Sequence, residues 1–191
     1  LRPAVPLRLY AGGGKLLLYR FYGLSERKHA LSPLRLNLLF KRGDSSGNPA
    51  LGVGPGNGPS FIEKSADVPK AISHIFQSKT FDNGTICASE QSIVVERCSR
   101  EKVIAEAKRQ GGYFMSPEES EKVGRFIMRA NGTMNPRIVG CPAAHIAEMA
   151  GITIPQGTRV LISEQTTVGK DNPYSREKLC PILAFYVEEN W

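Results

Sequence analysis

Phe81-Asp82-Asn83-Gly84-Thr85-Ile86-Cys87-Ala88-Ser89-Glu90-Gln91 lies between two segments whose apolar residues repeat differently. Before it, Ala71, Ile72, Ile75 and Phe76 fall on one face of a helical period. Asp67 is placed to cap that helix, which is predicted to run to about Thr80. Asn83-Gly84 supplies its ending, since both residues tolerate the left-handed conformation. After the stretch, Ser92–Glu96 groups Ile93, Val94 and Val95 and reads as a buried strand. Cys87 therefore stands on a connecting loop, not on a core face. Backbone N–H groups around such a turn can point at a developing oxyanion.

The alternation continues outward. Gly52-Val53-Gly54-Pro55-Gly56-Asn57-Gly58-Pro59 is a turn-rich loop, and Phe61-Ile62 begins a short apolar segment. The loop lacks a following Gly-Lys-Ser/Thr and is interrupted by Pro55 and Pro59, so it does not read as a phosphate cradle. It reads as backbone packed closely beside another segment. Ser99 is placed to cap a second helix bearing Val103, Ile104 and Ala107, stopped by Gly111-Gly112. Ser116-Pro117-Glu118-Glu119 is a capping box that opens a third helix with Val123, Phe126 and Ile127, expected to end at Asn131-Gly132. Pro142 opens a fourth through Ile146 and Met149, with Gly151 ending it. Short strands are expected at Arg137–Val139, Ile152–Ile154, Arg159–Ile162 and Ile182–Val187. Strands alternating with helices predict an α/β fold with a mostly parallel sheet.

Composition narrows the function. The chain has 191 residues and a net charge of +7, which invites a phosphate-binding reading. Residues 1–44, however, hold nine basic and two acidic side chains, while residues 45–191 carry sixteen of each. The main body is electrically balanced, so composition gives no support to a nucleic-acid surface there. No apolar run has the length of a membrane span. Cys87, Cys98, Cys141 and Cys180 form no Cys-x-x-Cys pair, and His29, His74 and His145 show no His-Glu-x-x-His pattern. A zinc site and a disulfide framework are both disfavoured, and free thiols suggest a reducing compartment. Cys98, Cys141 and Cys180 read as small buried hydrophobes. On spacing alone, Tyr174-Ser175-Arg176-Glu177-Lys178-Leu179-Cys180-Pro181 reads as a solvated turn before a strand.

Phe81–Gln91 closely resembles the nucleophile segment of the aldehyde dehydrogenase superfamily, and within it the coenzyme A-acylating branch. Ser45-Ser46-Gly47-Asn48-Pro49-Ala50-Leu51 through Ile62-Glu63-Lys64-Ser65-Ala66-Asp67 is similar to the glycine-loop segment of that branch. Arg176–Pro181 looks like its Glu-Lys-Leu-Ser-Pro segment, with Arg176 where some bifunctional relatives have His and Cys180 where Ser is usual. The resemblance spans about residues 45–191. It implies part of a Rossmann-like, three-layer catalytic domain with a mostly parallel sheet, truncated at both ends.

The resemblance implies roles. Cys87 is the expected nucleophile, with its backbone N–H helping to hold the oxyanion, and Glu177 the expected contact to the nicotinamide ribose of NAD or NADP. The water-using branch carries a glutamate that activates the deacylating water; aligned through Pro59, Val53 falls at that position and Asn57 at the lysine of the same segment. Without the carboxylate, hydrolysis lacks its general base, and coenzyme A is the expected acyl acceptor. The implied partners are a small aldehyde and coenzyme A, with homo-oligomers usual in the family and a cytoplasmic or microcompartment setting.

Residues 1–44 lie outside the resemblance. Twelve are Leu, the apolar residues keep no period, and no Met precedes Met115. The segment is expected to be out-of-frame or misjoined sequence; a transit peptide or a basic protein-, lipid- or RNA-binding arm are the alternatives. With the family's nucleotide domain unmatched, the chain alone is expected to have little activity. A non-catalytic remnant binding a full-length homologue or a microcompartment component is the competing expectation.

Overall fold

The computed structural model describes residues 56–129 and 132–189, all within the unit Val53–Trp191. The segment 1–44, Val53 and the N-terminal part of the glycine loop lie outside the described residues.

Five strands form one wholly parallel sheet: β1 (Gly58–Ile62), β2 (Glu90–Glu96), β3 (Gly112–Phe114), β4 (Val160–Glu164) and β5 (Ile182–Glu188). Their spatial order is β1-β2-β5-β4-β3. Central β5 reads Ile-Leu-Ala-Phe-Tyr-Val, a continuous apolar run, because both of its faces are covered. Ile182, Ala184 and Tyr186 face one core; Leu183 and Phe185 face the other. Helices α1 (Val68–Thr80) and α2 (Arg100–Arg109) cover the second face with Ile72, Ile75, Phe76, Val103 and Ala107. Helices α3 (Pro117–Ile127) and α4 (Ala143–Ala150) cover the first with Val123, Ile127, Ile146 and Ala147. The result is the expected three-layer α/β arrangement. Pro59 is tolerated in β1 because that strand is an edge and a register shift falls beside it.

The helix signals act as their chemistry predicts. Asp67 accepts from the Lys70 N–H at 3.1 Å, and Pro69 sits in the first turn of α1. Ser116 and Glu119 form the reciprocal box that opens α3. Ser99 precedes α2 but makes no side-chain cap. Helix α1 ends at Thr80, and Asn83-Gly84 belongs to a separate turn after it. Helix α3 ends at Ile127, before the expected Asn-Gly.

Two expectations are corrected. Arg137–Val139 is a turn in which Ile138 is buried against the α3–α4 core, and Ile152–Ile154 is irregular and pairs with no strand. Each has apolar residues for a core and no neighbouring strand to bond. Gly111-Gly112 follows the end of α2 as expected, and Gly112–Phe114 adds a three-residue edge strand, β3, beyond the expected ones. Among the described residues no helix is long and apolar enough to cross a membrane.

Candidate active site

In a parallel sheet the N-terminal ends of all strands lie along one edge. The loops entering β1, β2 and β5, which are neighbours in the sheet, therefore meet there. They carry Gly56, Cys87 and Glu177. The Gly56 N–H donates to Glu177 Oε1 at 2.7 Å across 121 residues of sequence. Asn57 Nδ2 adds a bond to the Ser175 carbonyl at 2.9 Å. A Cβ on Gly56 would stand 1.9 Å from the Cys87 carbonyl oxygen and 3.6 Å from Glu177 Oε1. Only a hydrogen fits between these loops, which is why glycine is required at position 56.

The Cys87 loop is held by its own turn chemistry. Asp82 and Asn83 both adopt left-handed backbone, at φ 47° and 50°. Such residues cost roughly 1–2 kcal/mol each and persist where surrounding contacts over-determine them. Here Thr85 Oγ1 donates to Asp82 Oδ2 at 2.8 Å, and Ser89 N–H closes the next turn on the Ile86 carbonyl at 3.0 Å. Gly84, at φ 78°, packs where a Cβ would meet the Cys180 backbone at 2.9 Å. Cys87 is exposed, and its N–H donates to no other described residue. The thiol and an unspent backbone donor thus share one solvent-facing turn, an arrangement suited to nucleophilic attack with oxyanion stabilisation.

Glu177 is positioned by the loop before β5. Tyr174 is buried and donates through its hydroxyl to the Ser120 carbonyl of α3 at 2.6 Å, while Asn172 Oδ1 accepts the Tyr174 N–H. Burial pushes the Glu177 carboxyl above its ordinary value, opposed by the Gly56 N–H and by the charges of Lys79 and Lys178. Glu177 Oε2 makes no hydrogen bond among the described residues, leaving an acceptor for a ligand hydroxyl.

Beneath these loops lie two wholly buried lysines that sequence reading did not single out. Lys79 Nζ donates to the Lys178 carbonyl at 2.9 Å and to Gln91 Oε1 at 3.3 Å. The same Gln91 oxygen accepts the Lys178 N–H at 2.8 Å. Lys178 Nζ donates to the Tyr174 and Arg176 carbonyls at 2.7 and 2.8 Å. Burial pushes Lys79 down to about 8 and Lys178 down to about 7, the latter helped by the charge of Lys79. Lys79 was legible as the next position of the Ile72-Ile75-Phe76 stripe. Lys178 overturns the solvated-turn reading of Tyr174–Pro181: Tyr174, Lys178 and Cys180 are all buried.

The other cysteines differ from one another. Cys180 is fully buried and pushed up to about 12 by burial, as befits an inert thiol. Cys141 is intermediate, its thiol raised by burial. Cys98 is exposed in the turn after β2, so the expectation of a buried hydrophobe fails there: the turn has already left the core.

No family model matches the chain. It is 48% identical over 153 residues to an aldehyde-alcohol dehydrogenase of Clostridium acetobutylicum, covering 80% of this chain and 18% of the relative. Among solved structures it is 61% identical, at a TM-score of 0.76, to a probable aldehyde dehydrogenase of Listeria monocytogenes EGD-e, covering 81% of this chain and 34% of that one. It is 55% identical, at a TM-score of 0.75, to an acetylating aldehyde dehydrogenase of Geobacillus thermoglucosidasius, covering 80% of this chain and 33% of that one. The chain thus spans about a third of the solved relatives and less than a fifth of the curated one.

Proposed function

We propose, from the premise that this chain is part of a coenzyme A-acylating aldehyde dehydrogenase, that its site makes and breaks a thioester at Cys87. The observation that supports this best is the exposed Cys87 on a turn with an unspent N–H, packed against Gly56, which in turn holds Glu177. The overall reaction is aldehyde, coenzyme A and NAD(P)⁺ to acyl-CoA and NAD(P)H.

The Cys87 thiolate attacks the aldehyde carbonyl carbon, and the charge that develops on oxygen is met by the Cys87 N–H. Glu177 fits a nicotinamide ribose because one carboxylate oxygen is fixed by Gly56 and the other is unspent. When bound, the nicotinamide supplies the hydride acceptor that turns the tetrahedral adduct into a thioester. The thiol of coenzyme A then attacks the thioester carbon, and Cys87 departs as thiolate. Val53, at the position of the water-activating glutamate, supports thiol rather than water as acceptor.

The acyl-transfer half can be tested without the nicotinamide. Incubating the chain with acetyl-CoA should place one acetyl group on Cys87 and release free coenzyme A, read by peptide mass spectrometry. Cys87→Ser should abolish it. Acetylation spread equally over Cys87 and exposed Cys98 would refute a built site. Acetaldehyde oxidation by the chain, measured as NADH formation, should be slight and what there is should require coenzyme A; equal rates without it would favour the water-using chemistry.

A further inference from the structure

Two ammonium groups buried under an edge of a sheet, with no carboxylate hydrogen-bonded to either, are an expensive arrangement. Their bonds show what they join. Lys79 comes from the last turn of α1, Gln91 from the start of β2 just after Cys87, and Lys178 from the residue after Glu177. Gln91 Oε1 is shared by the Lys79 amine and the Lys178 N–H, and the Lys178 carbonyl returns to Lys79. This closes a ring of three hydrogen bonds across the three segments. The Lys178 amine then ties down Tyr174 and Arg176, so the loop from 174 to 178 is folded around its own side chain. Glu177 projects from that loop to Gly56.

We propose that Lys79, Gln91 and Lys178 are positioning residues that hold the Cys87 turn and the Glu177 carboxylate in fixed register beneath the site. The proposal rests on the reading of Cys87 and Glu177 as the chemistry-bearing pair. None of the three touches substrate; each acts through backbone that carries one of the pair. The network also makes the register sensitive to protonation. The groups facing the two amines are Glu90, Glu177, Cys180 and each other. Both amines lose protons near neutrality, which removes charge-assisted donors from the ring.

Gln91→Leu against Gln91→Glu tests it in the intact chain. Leu removes the shared acceptor; Glu keeps an oxygen in the same place. Amide hydrogen exchange at Gly56 reports the Glu177 tie, and site-resolved iodoacetamide labelling of Cys87 reports the turn. Gln91→Leu should speed Gly56 exchange by at least about tenfold, as expected for losing a net hydrogen-bond worth of local stability, with β5 amides unchanged. Gln91→Glu should restore it to within about threefold. The labelling rate against pH should show an inflection between about 7 and 8 that Lys178→Met diminishes, leaving the Lys79 part at about 8. Should Lys178→Met fail to fold, the Gln91 pair decides. Unchanged Gly56 exchange in folded Gln91→Leu, or equal loss in both Gln91 variants, would overturn the proposal. A wild-type chain showing the exchange pattern but no acetyl transfer to Cys87 would support the positioning network while removing the catalytic reading.

Discussion

The two edges of the sheet are built from opposite materials. At the N-terminal edge, charge is buried: Lys79 and Lys178 are enclosed and bonded to an amide side chain and backbone carbonyls. At the C-terminal edge, charge is paired in solvent. Arg97, just after β2, meets Glu189, just after β5, and the two side chains are 64% and 72% exposed. Arg100 Nη2 donates to both carboxylate oxygens of Glu164 at the end of β4, at 2.9 and 2.8 Å. Exposed pairs of this kind contribute about 0–1 kcal/mol and tolerate replacement. Buried amines leave unpaired groups behind when removed, so their geometry is fixed. The N-terminal edge also carries the two left-handed non-glycine residues found among the described residues. Specific, costly contacts are concentrated where the thiol sits, and the interchangeable ones lie at the other end.

The sharpest way to break that contrast is Gly56→Ala. The added carbon would fall 1.9 Å from the Cys87 carbonyl, so the two loops must part by more than an ångström. Displacements of that size cost on the order of 100-fold in rate. Acetyl transfer from acetyl-CoA to Cys87 should fall by about that factor, while the melting temperature changes little because position 56 belongs to neither core. Unchanged transfer would mean that the Gly56 contact does not set the site.

Much of the frame is legible in local sequence. Asp67, Ser116 and Pro142 announce helix starts because capping is a local event. The apolar run of β5 announces a strand covered on both faces. What local pattern does not contain is strand order. Gly56 and Glu177 meet because β1, β2 and β5 are consecutive in the sheet, and nothing at either residue encodes that neighbourhood. The family resemblance gave Cys87 and Glu177 separate roles and did not pair Gly56 with Glu177. The lysines were hidden for a different reason: a charged residue is read as solvated, and Lys178 is buried only because distant Gln91 and nearby carbonyls receive its donors. Arg137–Val139 and Ile152–Ile154 fail as strands because short apolar runs report burial and say little about pairing.

The two edges should also answer pH in different windows, the exposed one in acid and the buried one above neutrality. Lys79 and Lys178 are held down to about 8 and about 7, against an ordinary 10.5. Between about 7 and 10.5 the unfolded chain therefore binds more protons than the folded one, and stability rises with pH as the buried amines become neutral. Cys180 acts the other way. Its thiol is held up to about 12 against an ordinary 9.0, so above about 9 the unfolded chain releases a proton that the folded one keeps. Burial raises Tyr174 too, with the same sign at still higher pH. Stability to urea should climb from about pH 7, more slowly above about 9 where Cys180 opposes the two amines, and decline only above about 10.5. At the other edge, Arg97 holds the Glu189 carboxyl below its ordinary 4.5. That contribution is present above pH 4.5 and lost in acid, and its exposure keeps it small. Lys178→Met should reduce the alkaline rise and leave the part that belongs to Lys79; a rise of undiminished size in that variant would assign it elsewhere.

The smallest expected effect is at Arg100 and Glu164. A single nitrogen, Arg100 Nη2, serves both Glu164 oxygens, Glu164 is 46% exposed, and Arg100 Nη1 is drawn toward Glu101. An arginine with a second carboxylate at hand loses little when one partner is removed. A double-mutant cycle of Arg100→Met and Glu164→Gln, read by urea unfolding, should give a coupling of about 0.5 kcal/mol that shrinks in 1 M salt. Neither variant should alter Gly56 exchange or Cys87 labelling, since the pair lies at the opposite edge of the sheet. A coupling above about 2 kcal/mol would make the C-terminal edge as specific as the other. A change in Cys87 labelling would show instead that the two edges are mechanically joined through β2, β4 and β5.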